Sequence, residues 1–372
     1  MKSFIFEASP GRVVFGAGAL DHLAFEIELL GARRALVLST PQQAELANNL
    51  SVRLGDRSVG IYPHAVMHVP VEVAQKAIEE ADRLGADCVV AAGGGSTIGL
   101  AKAIALESAL PILAVPTTYA GSEMTPIYGL TEAGLKRTGK DRRVLPKAVI
   151  YDPYLTLDLP LTMSITSGFN AIAHAAEALY AENANPITNL MAEEGIRALA
   201  RGLPGVKANL RDVDSRSDCL YGAWLCGAVL GMSNMALHHK LCHVLGGTWN
   251  LPHAETHTVI LPHVLAYNAA AAPDAMKRLE HAMNAQNAAS AVFALMQRLG
   301  APMSLEEIGM KRADLPRAAS LVMQLPYYNP RPVTYDGVLA LLDDAFVGRC
   351  QYVGSAETYG EVSGLSSSPR PL

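Results

Sequence analysis

Apolar residues in the first half of the chain fall into two kinds of segment. Short apolar, β-branched runs at 35–38, 59–62, 88–92 and 112–115 read as buried strands. Between them the apolar positions recur at helical spacing, as at Leu20, Leu23, Ile27 and Leu30 before Gly31, and helices are predicted over 41–54, 71–84 and 97–107. The runs at 4–6 and 12–15 flank Ser9-Pro10-Gly11 and predict an edge hairpin. Strands alternating with helices imply a parallel sheet covered on both faces, whose ligand site lies at the carboxyl ends of the strands.

A strand at 147–152 stops at Pro153, and the β pattern fades beyond it. A boundary is placed there, with residues 1–153 an α/β nucleotide-binding domain and 154–372 an all-α helical domain for substrate and catalysis. Helices are predicted over 171–180, 186–200, 217–232, through the segment that starts at His238, and over 262–272, with apolar spacing that suggests a bundle. Gly246 and Gly247 are expected to end or loosen the fourth of these, after which the chain returns through Trp249 and Pro252 to His253. Residues 326–332, framed by three prolines, read as a stiff loop, and 363–372 as a poorly ordered tail.

Charge narrows the partners. Lys and Arg number 30 against 35 Asp and Glu, a formal charge of −5, and no basic stripe interleaved with aromatics suggests nucleic acid. Half the residues are hydrophobic, yet no uninterrupted apolar run reaches the roughly 20 residues of a membrane span. The five cysteines are odd in number and sit mostly in apolar segments, which predicts buried thiols in a reducing compartment. Residues 1–7 lack the sustained apolar core of a signal peptide, so cytoplasm is the expected location.

Two stretches carry candidate chemistry. Gly93-Gly94-Gly95-Ser96-Thr97-Ile98-Gly99 stands between a strand and a helix. Successive glycines let backbone approach a bulky anion there, and a helix start offers free N–H groups to pyrophosphate. Thr117 and Thr118 follow the next strand and add hydroxyls at the same sheet edge. Where an acidic residue would grip a ribose hydroxyl, the chain has Ser39-Thr40-Pro41, so NADH and NADPH both remain open as cofactors.

The second stretch is 238–253, where four of the eleven histidines, His238, His239, His243 and His253, fall within sixteen residues. His239 and His243 are one helical turn apart, as are Asn170 and His174 in an alanine-rich helix upstream. Such a cluster serves either as a metal site or as a proton-transfer site.

Four segments, 93–99, 116–125, 168–178 and 239–253, together resemble the iron-containing (group III) alcohol dehydrogenase superfamily over nearly the whole chain. The resemblance implies a nucleotide-binding α/β domain, a helical domain and an active site in the cleft between them. In metal-dependent members an aspartate and three histidines hold the ion, and these positions fall on Asn170, His174, His239 and His253. His243 matches a further active-site histidine that is not a ligand. Replacing the aspartate by Asn170 removes the only anionic ligand, and the branch of the superfamily with this pattern is thought to work without metal. Its reaction reduces the carbon–carbon double bond of maleylacetate to give 3-oxoadipate in the degradation of aromatic compounds.

The expectation is therefore NADH-dependent reduction of a small dicarboxylate, with NADPH as a second possible donor and no catalytic metal. Hydride addition to a conjugated alkene spreads charge onto the ketone oxygen as an enolate, which hydrogen-bond donors stabilise and a histidinium protonates. His243 and His253 are assigned the roles of proton donor and enolate stabiliser, in either order. Asn170, His174 and His239 are expected to line the vacated pocket as donors to substrate oxygens, and Arg331 to clamp a carboxylate. Gly93, Gly94, Gly95, Ser96, Thr97, Thr117, Thr118 and Ser39 are assigned to the cofactor. A homodimer is the expected assembly. The rival readings are a metal-dependent alcohol dehydrogenase acting on a small alcohol or aldehyde, a sugar phosphate cyclase resembling dehydroquinate synthase, and a nucleotide binder without turnover.

Overall fold

The computed structural model describes residues 4, 6, 11–132, 135–324 and 327–350. Eight strands occur among them: β1 (Arg12–Phe15), β2 (Ala35–Leu38), β3 (Ser58–Tyr62), β4 (Cys88–Gly93), β5 (Ile112–Pro116), β6 (Ile127–Glu132), β7 (Leu135–Lys140) and β8 (Ala148–Tyr151). Every residue of β2, β4, β5 and β8 is buried, so their unbroken apolar runs are what a sheet with both faces covered requires. They lie in one parallel sheet of order β1-β8-β5-β4-β2-β3.

Four helices cover this sheet: α1 (Leu23–Leu29), α2 (Ala44–Leu54), α3 (Val71–Leu84) and α4 (Gly95–Ser108). Leu23, Ile27, Leu50 and Leu54 of α1 and α2 pack on Val37, Val90 and Val115 at one face. Ala77, Ala81, Ile98 and Ile104 of α3 and α4 pack on Leu36, Val89 and Ala91 at the other. From β2 the chain steps outward to β3, then returns past β2 to β4 and on toward the opposite edge. The reversal leaves a crevice at the carboxyl ends of β2 and β4, the usual place for a ligand in an open parallel sheet.

Beyond β8 the regular elements are helical: α5 (Leu161–Ala178), α6 (Pro186–Ala208), α7 (Val213–Met232), α8 (Leu237–Trp249), α9 (His253–Asn268), α10 (Pro273–Met283), α11 (Ala288–Leu299), α12 (Leu315–Val322) and α13 (Tyr335–Val347). The core under the sheet continues into this part through Tyr119, Tyr151, Phe169 and Ile172, while α8, α9, α12 and α13 enclose a second core around Leu241, Ile260 and Leu342. Among the described residues no single helix is long and apolar enough to cross a membrane, and α7 and α8, which together have the length, meet at 96°.

Several elements differ from the sequence expectation. The helix at α8 does not stop at Gly246 and Gly247 but runs to Trp249, where Asn250 takes the left-handed φ of 53° that ends it. α9 starts at His253 rather than at Pro262, which lies inside the helix. α6 continues past Pro204 to Ala208, and α7 starts four residues early because Asp212 caps it, accepting from the Ser215 N–H at 3.0 Å. The antiparallel β6–β7 hairpin was not predicted; most of β6 is only half-buried, so it has no strong alternation. β1 pairs in parallel with β8 and not in a hairpin; of its expected partner, residues 4 and 6 belong to no strand, while residue 5, like the tail 363–372, lies outside the described residues.

Candidate active site

The sheet crevice is built by three turns. Gly93 ends β4 with φ 153°, and a Cβ there would stand 2.4 Å from Thr97 Oγ1 and 2.8 Å from Gln43 Oε1, so no side chain fits. A Cβ on Gly94 would meet Thr118 Cγ2 at 2.9 Å. At Gly95, the first residue of α4, the space is open and the backbone exposed. α4 has no side-chain cap, and while the Thr97 and Ile98 N–H groups both donate to the Gly94 carbonyl at 3.1 Å, the Gly95 and Ser96 N–H groups have no acceptor within the helix. Ser96 is half-buried beside them, and Thr97 Oγ1 is buried without a partner.

Across the crevice the β5 loop presents Thr117 and the half-buried Thr118, and Gln43 Nε2 donates to Thr117 Oγ1 at 2.8 Å. Gln43 bridges the ends of β2, β4 and β5, a role that sequence reading missed because only the sheet order makes these loops neighbours. Ser39 is at the end of β2 as expected, but it is fully buried and its hydroxyl donates to the Thr40 carbonyl. The structure does not bring that hydroxyl to the crevice.

Six imidazoles gather where α5, α8 and α9 meet: His174 on α5, His238, His239 and His243 on α8, and His253 and His257 on α9. On α5, Asn170, His174 and Glu177 share one inward face at a spacing of four and then three residues, and all three are buried. Asn170 Nδ2 is 3.2 Å from His174 Nε2, His174 Nδ1 is 2.9 Å from His239 Nε2, and His239 Nδ1 is 2.5 Å from Glu177 Oε2. Glu177 also accepts from the backbone N–H groups of His238 at 2.7 Å and His239 at 3.3 Å. Both ring nitrogens of His174 and of His239 are therefore engaged inside the protein, and neither ring has an N–H left for a substrate oxygen.

His257, one turn after His253, was not singled out in the sequence, because the helix that puts the two rings together starts earlier than predicted. Its ring centroid is 4.5 Å from that of His253, 5.0 Å from His239 and 5.9 Å from His174, and its Nδ1 is 2.9 Å from His238 Nε2. His238, His257 and Cys242 offer three donor atoms within 4.8 Å of one another, all buried. His243 and His253 are exposed, and the His243 ring stands 6.1 Å from that of His239.

Burial sets the charge of the cluster. It pushes His174 and His257 well below the ordinary imidazole value and His238 down to about 3, with neighbouring rings adding repulsion. Burial alone would raise the Glu177 carboxyl, but the His239 ring and the hydrogen bonds it receives outweigh that and hold it below the usual carboxylate range. Burial also raises Cys242, which keeps it a thiol.

Arg331 lies elsewhere. Its Nη1 donates to the Tyr267 carbonyl at 3.0 Å and its guanidinium sits 4.1 Å from the Tyr267 ring centroid. Tyr267 is ten residues beyond His257 on α9, about 15 Å along a helix axis, so the expected carboxylate clamp is not at the imidazole cluster.

A glycine-lined crevice on a parallel sheet, joined to a helical part that carries a histidine cluster, defines an oxidoreductase of the dehydrogenase type. Two family models agree: iron-containing alcohol dehydrogenase matches residues 10–153, and the C-terminal part of the Fe-containing alcohol dehydrogenase family matches 164–346. The chain belongs to the iron-containing alcohol dehydrogenase family. Within it, the chain is 60% identical to maleylacetate reductase from Burkholderia cepacia over 348 residues, 94% of this chain and 99% of that protein. The crystal structure of maleylacetate reductase from Agrobacterium tumefaciens is 51% identical, with a TM-score of 0.91 over 94% of this chain and 99% of that one. A sulfoacetaldehyde reductase from Bifidobacterium kashiwanohense, solved in complex with NAD+, shares the fold at 20% identity, with a TM-score of 0.85 over 92% of this chain and 99% of its own.

Proposed function

We propose that the protein is a maleylacetate reductase, which reduces the carbon–carbon double bond of maleylacetate to give 3-oxoadipate at the expense of NADH, or of NADPH. The observation that carries this reading is Asn170, an amide hydrogen-bonded to His174 where metal-dependent members of the superfamily place a carboxylate. Identity of 60% to a maleylacetate reductase supports it.

The crevice suits a dinucleotide. Gly94 and Gly95 leave room for backbone to approach pyrophosphate, the α4 terminus favours its charge, and Thr97, Thr117 and Thr118 border it. A reduced nicotinamide bound there supplies a hydride to the alkene carbon β to the ketone. The chain must then provide a donor to the ketone oxygen, where enolate charge collects, and a proton for the neighbouring carbon. His243 and His253 take these parts, because they are the exposed rings at the rim of an otherwise enclosed cluster.

The family's iron is poorly matched by these residues. Asn170 brings no charge, His174 and His239 have both nitrogens in protein hydrogen bonds, and the nearby Glu177 carboxylate is held by His239 and two backbone N–H groups. A divalent cation would meet neutral ligands in a buried pocket, where the cost of leaving water is large. The group His238, Cys242 and His257 is fully enclosed, and its two rings already share a hydrogen bond. We read the reaction as metal-independent, because an enolate delocalises the charge that an alkoxide would concentrate.

The reading is tested by following NADH and NADPH absorbance with maleylacetate, with and without a chelator, on protein of measured metal content. Turnover that ignores the chelator is expected. A stoichiometric ion whose removal abolishes turnover, together with oxidation of simple alcohols, would favour an alcohol dehydrogenase instead. A homodimer is proposed as the assembly, to be checked by light scattering.

A further inference from the structure

The hydrogen bonds between Asn170 and Glu177 have a direction, and the acceptor-only end sets it. A carboxylate has no hydrogen to give, so His239 donates to Glu177 from Nδ1, and at the other end of the row the Asn170 amide nitrogen beside His174 Nε2 leaves no place for a second proton on His239. His239 Nε2 is then a bare acceptor, filled by His174 Nδ1–H. His174 Nε2 is bare in turn, and only a donor can occupy the place 3.2 Å away, which is where the Asn170 amide nitrogen stands. Asn170 Oδ1 is left over, buried and without a protein partner.

We infer that Glu177 is a positioning residue that fixes the tautomers of His239 and His174 and, through them, the amide orientation of Asn170, so that position 170 has to be a hydrogen-bond donor. The inference deepens the metal-free reading of the pocket and rests on it. With an aspartate at 170, carboxylate oxygen would face an unprotonated ring nitrogen, acceptor against acceptor. The oxygen that Asn170 turns away is matched by an O–H or N–H donor and not by an oxyanion. Donors to the enolate are thus left to His243 and His253.

The test uses the full-length protein with 15N-labelled imidazoles, and metal is measured on the same sample. Long-range 1H–15N spectra, assigned through His174→Gln and His239→Gln, should show Nδ1–H tautomers for both rings. In Glu177→Gln an amide donor can replace Oε2 while the other oxygen keeps the His238 N–H, so both rings should convert to Nε2–H. That variant should lose on the order of tenfold in kcat, the usual scale for a group that orients an active-site histidine, with KM for NADH unmoved. Asn170→Asp should lower Tm in chelator, and the double variant Glu177→Gln/Asn170→Asp, in which every side-chain bond of the row reverses consistently and only the 3.3 Å bond from the His239 backbone N–H is lost, should recover most of that loss. Nε2–H tautomers in the native protein, additive losses in the double variant, or an unchanged kcat in Glu177→Gln would each overturn the inference alone. A stoichiometric ion on the native sample would overturn the metal-free reading and this inference with it.

Discussion

The ring of His253, on the exposed first residue of α9, stands 4.5 Å from the ring of the buried His257 one turn further on. One imidazole thus belongs to an exposed residue while its neighbour is held neutral in the interior. If the outer rings perform the acid step, His253→Ala or His243→Ala should cut kcat by about a hundredfold or more, the usual worth of a positioned general acid. Steady-state rates with maleylacetate check this, and near-normal turnover in both variants would remove the assignment.

Acid should unfold this protein through its buried rings. His238 falls from an ordinary 6.5 to about 3, and His174 and His257 move the same way. Between those limits the unfolded chain binds more protons than the folded one. The stability of keeping the rings neutral is therefore complete above about 6.5 and is lost as pH falls toward 3. Each such ring contributes about 1.4 kcal/mol per pH unit in that window. Urea midpoints should drop steadily from pH 7 to pH 5, and midpoints that stay flat over that range would contradict the neutral assignment.

Gly95 separates binding from folding. A Cβ there meets no protein atom within 4 Å, and alanine suits a helix better than glycine. Gly95→Ala should keep or slightly raise Tm while raising KM for the dinucleotide roughly tenfold, since a methyl group would stand where pyrophosphate approaches α4. A thermal melt beside a cofactor titration distinguishes the two effects. An unchanged KM would move the phosphate away from this loop.

Arg216 is fully buried on α7, where its guanidinium reaches Tyr119 Oη at 3.2 Å, Ser164 Oγ at 2.8 Å, and the carbonyls of Leu159 at 3.1 Å and Leu210 at 3.0 Å. It ties the loop after β5 to the helical part. Arg216→Met would strand these acceptors without water, and a loss of at least about 3 kcal/mol in urea unfolding is expected. A loss below 1 kcal/mol would mean that water replaces the guanidinium.

The alternation of strands and helices was legible because strands such as β4 and β5 are buried on both faces and so read as continuous apolar runs. α3 was legible to its ends, from Pro70 before it to Gly85 after it. The double glycine in α8 misled: that helix continues through Gly246 and Gly247 although glycine is a poor helix former, because Leu237, Leu241 and Leu245 anchor it in the second core. That error hid His257, since the return to His253 was read as loop and not as the first turn of α9. Arg331 offered the right chemistry in the wrong place, because its guanidinium found the Tyr267 ring and carbonyl.

The amino-acid order alone determined the residue types at issue, including an amide at 170 with a histidine one turn further on α5, histidines at fixed spacings on α8, and a glycine run between a strand and a helix. Spacing records which face of an element turns inward, but not what it meets there. That Glu177 reaches His239, 62 positions away in the chain, was decided only when α5 packed against α8 and α9. The direction inferred for the hydrogen bonds from Asn170 to Glu177 starts at that contact, because a buried carboxylate can accept hydrogen and cannot give it.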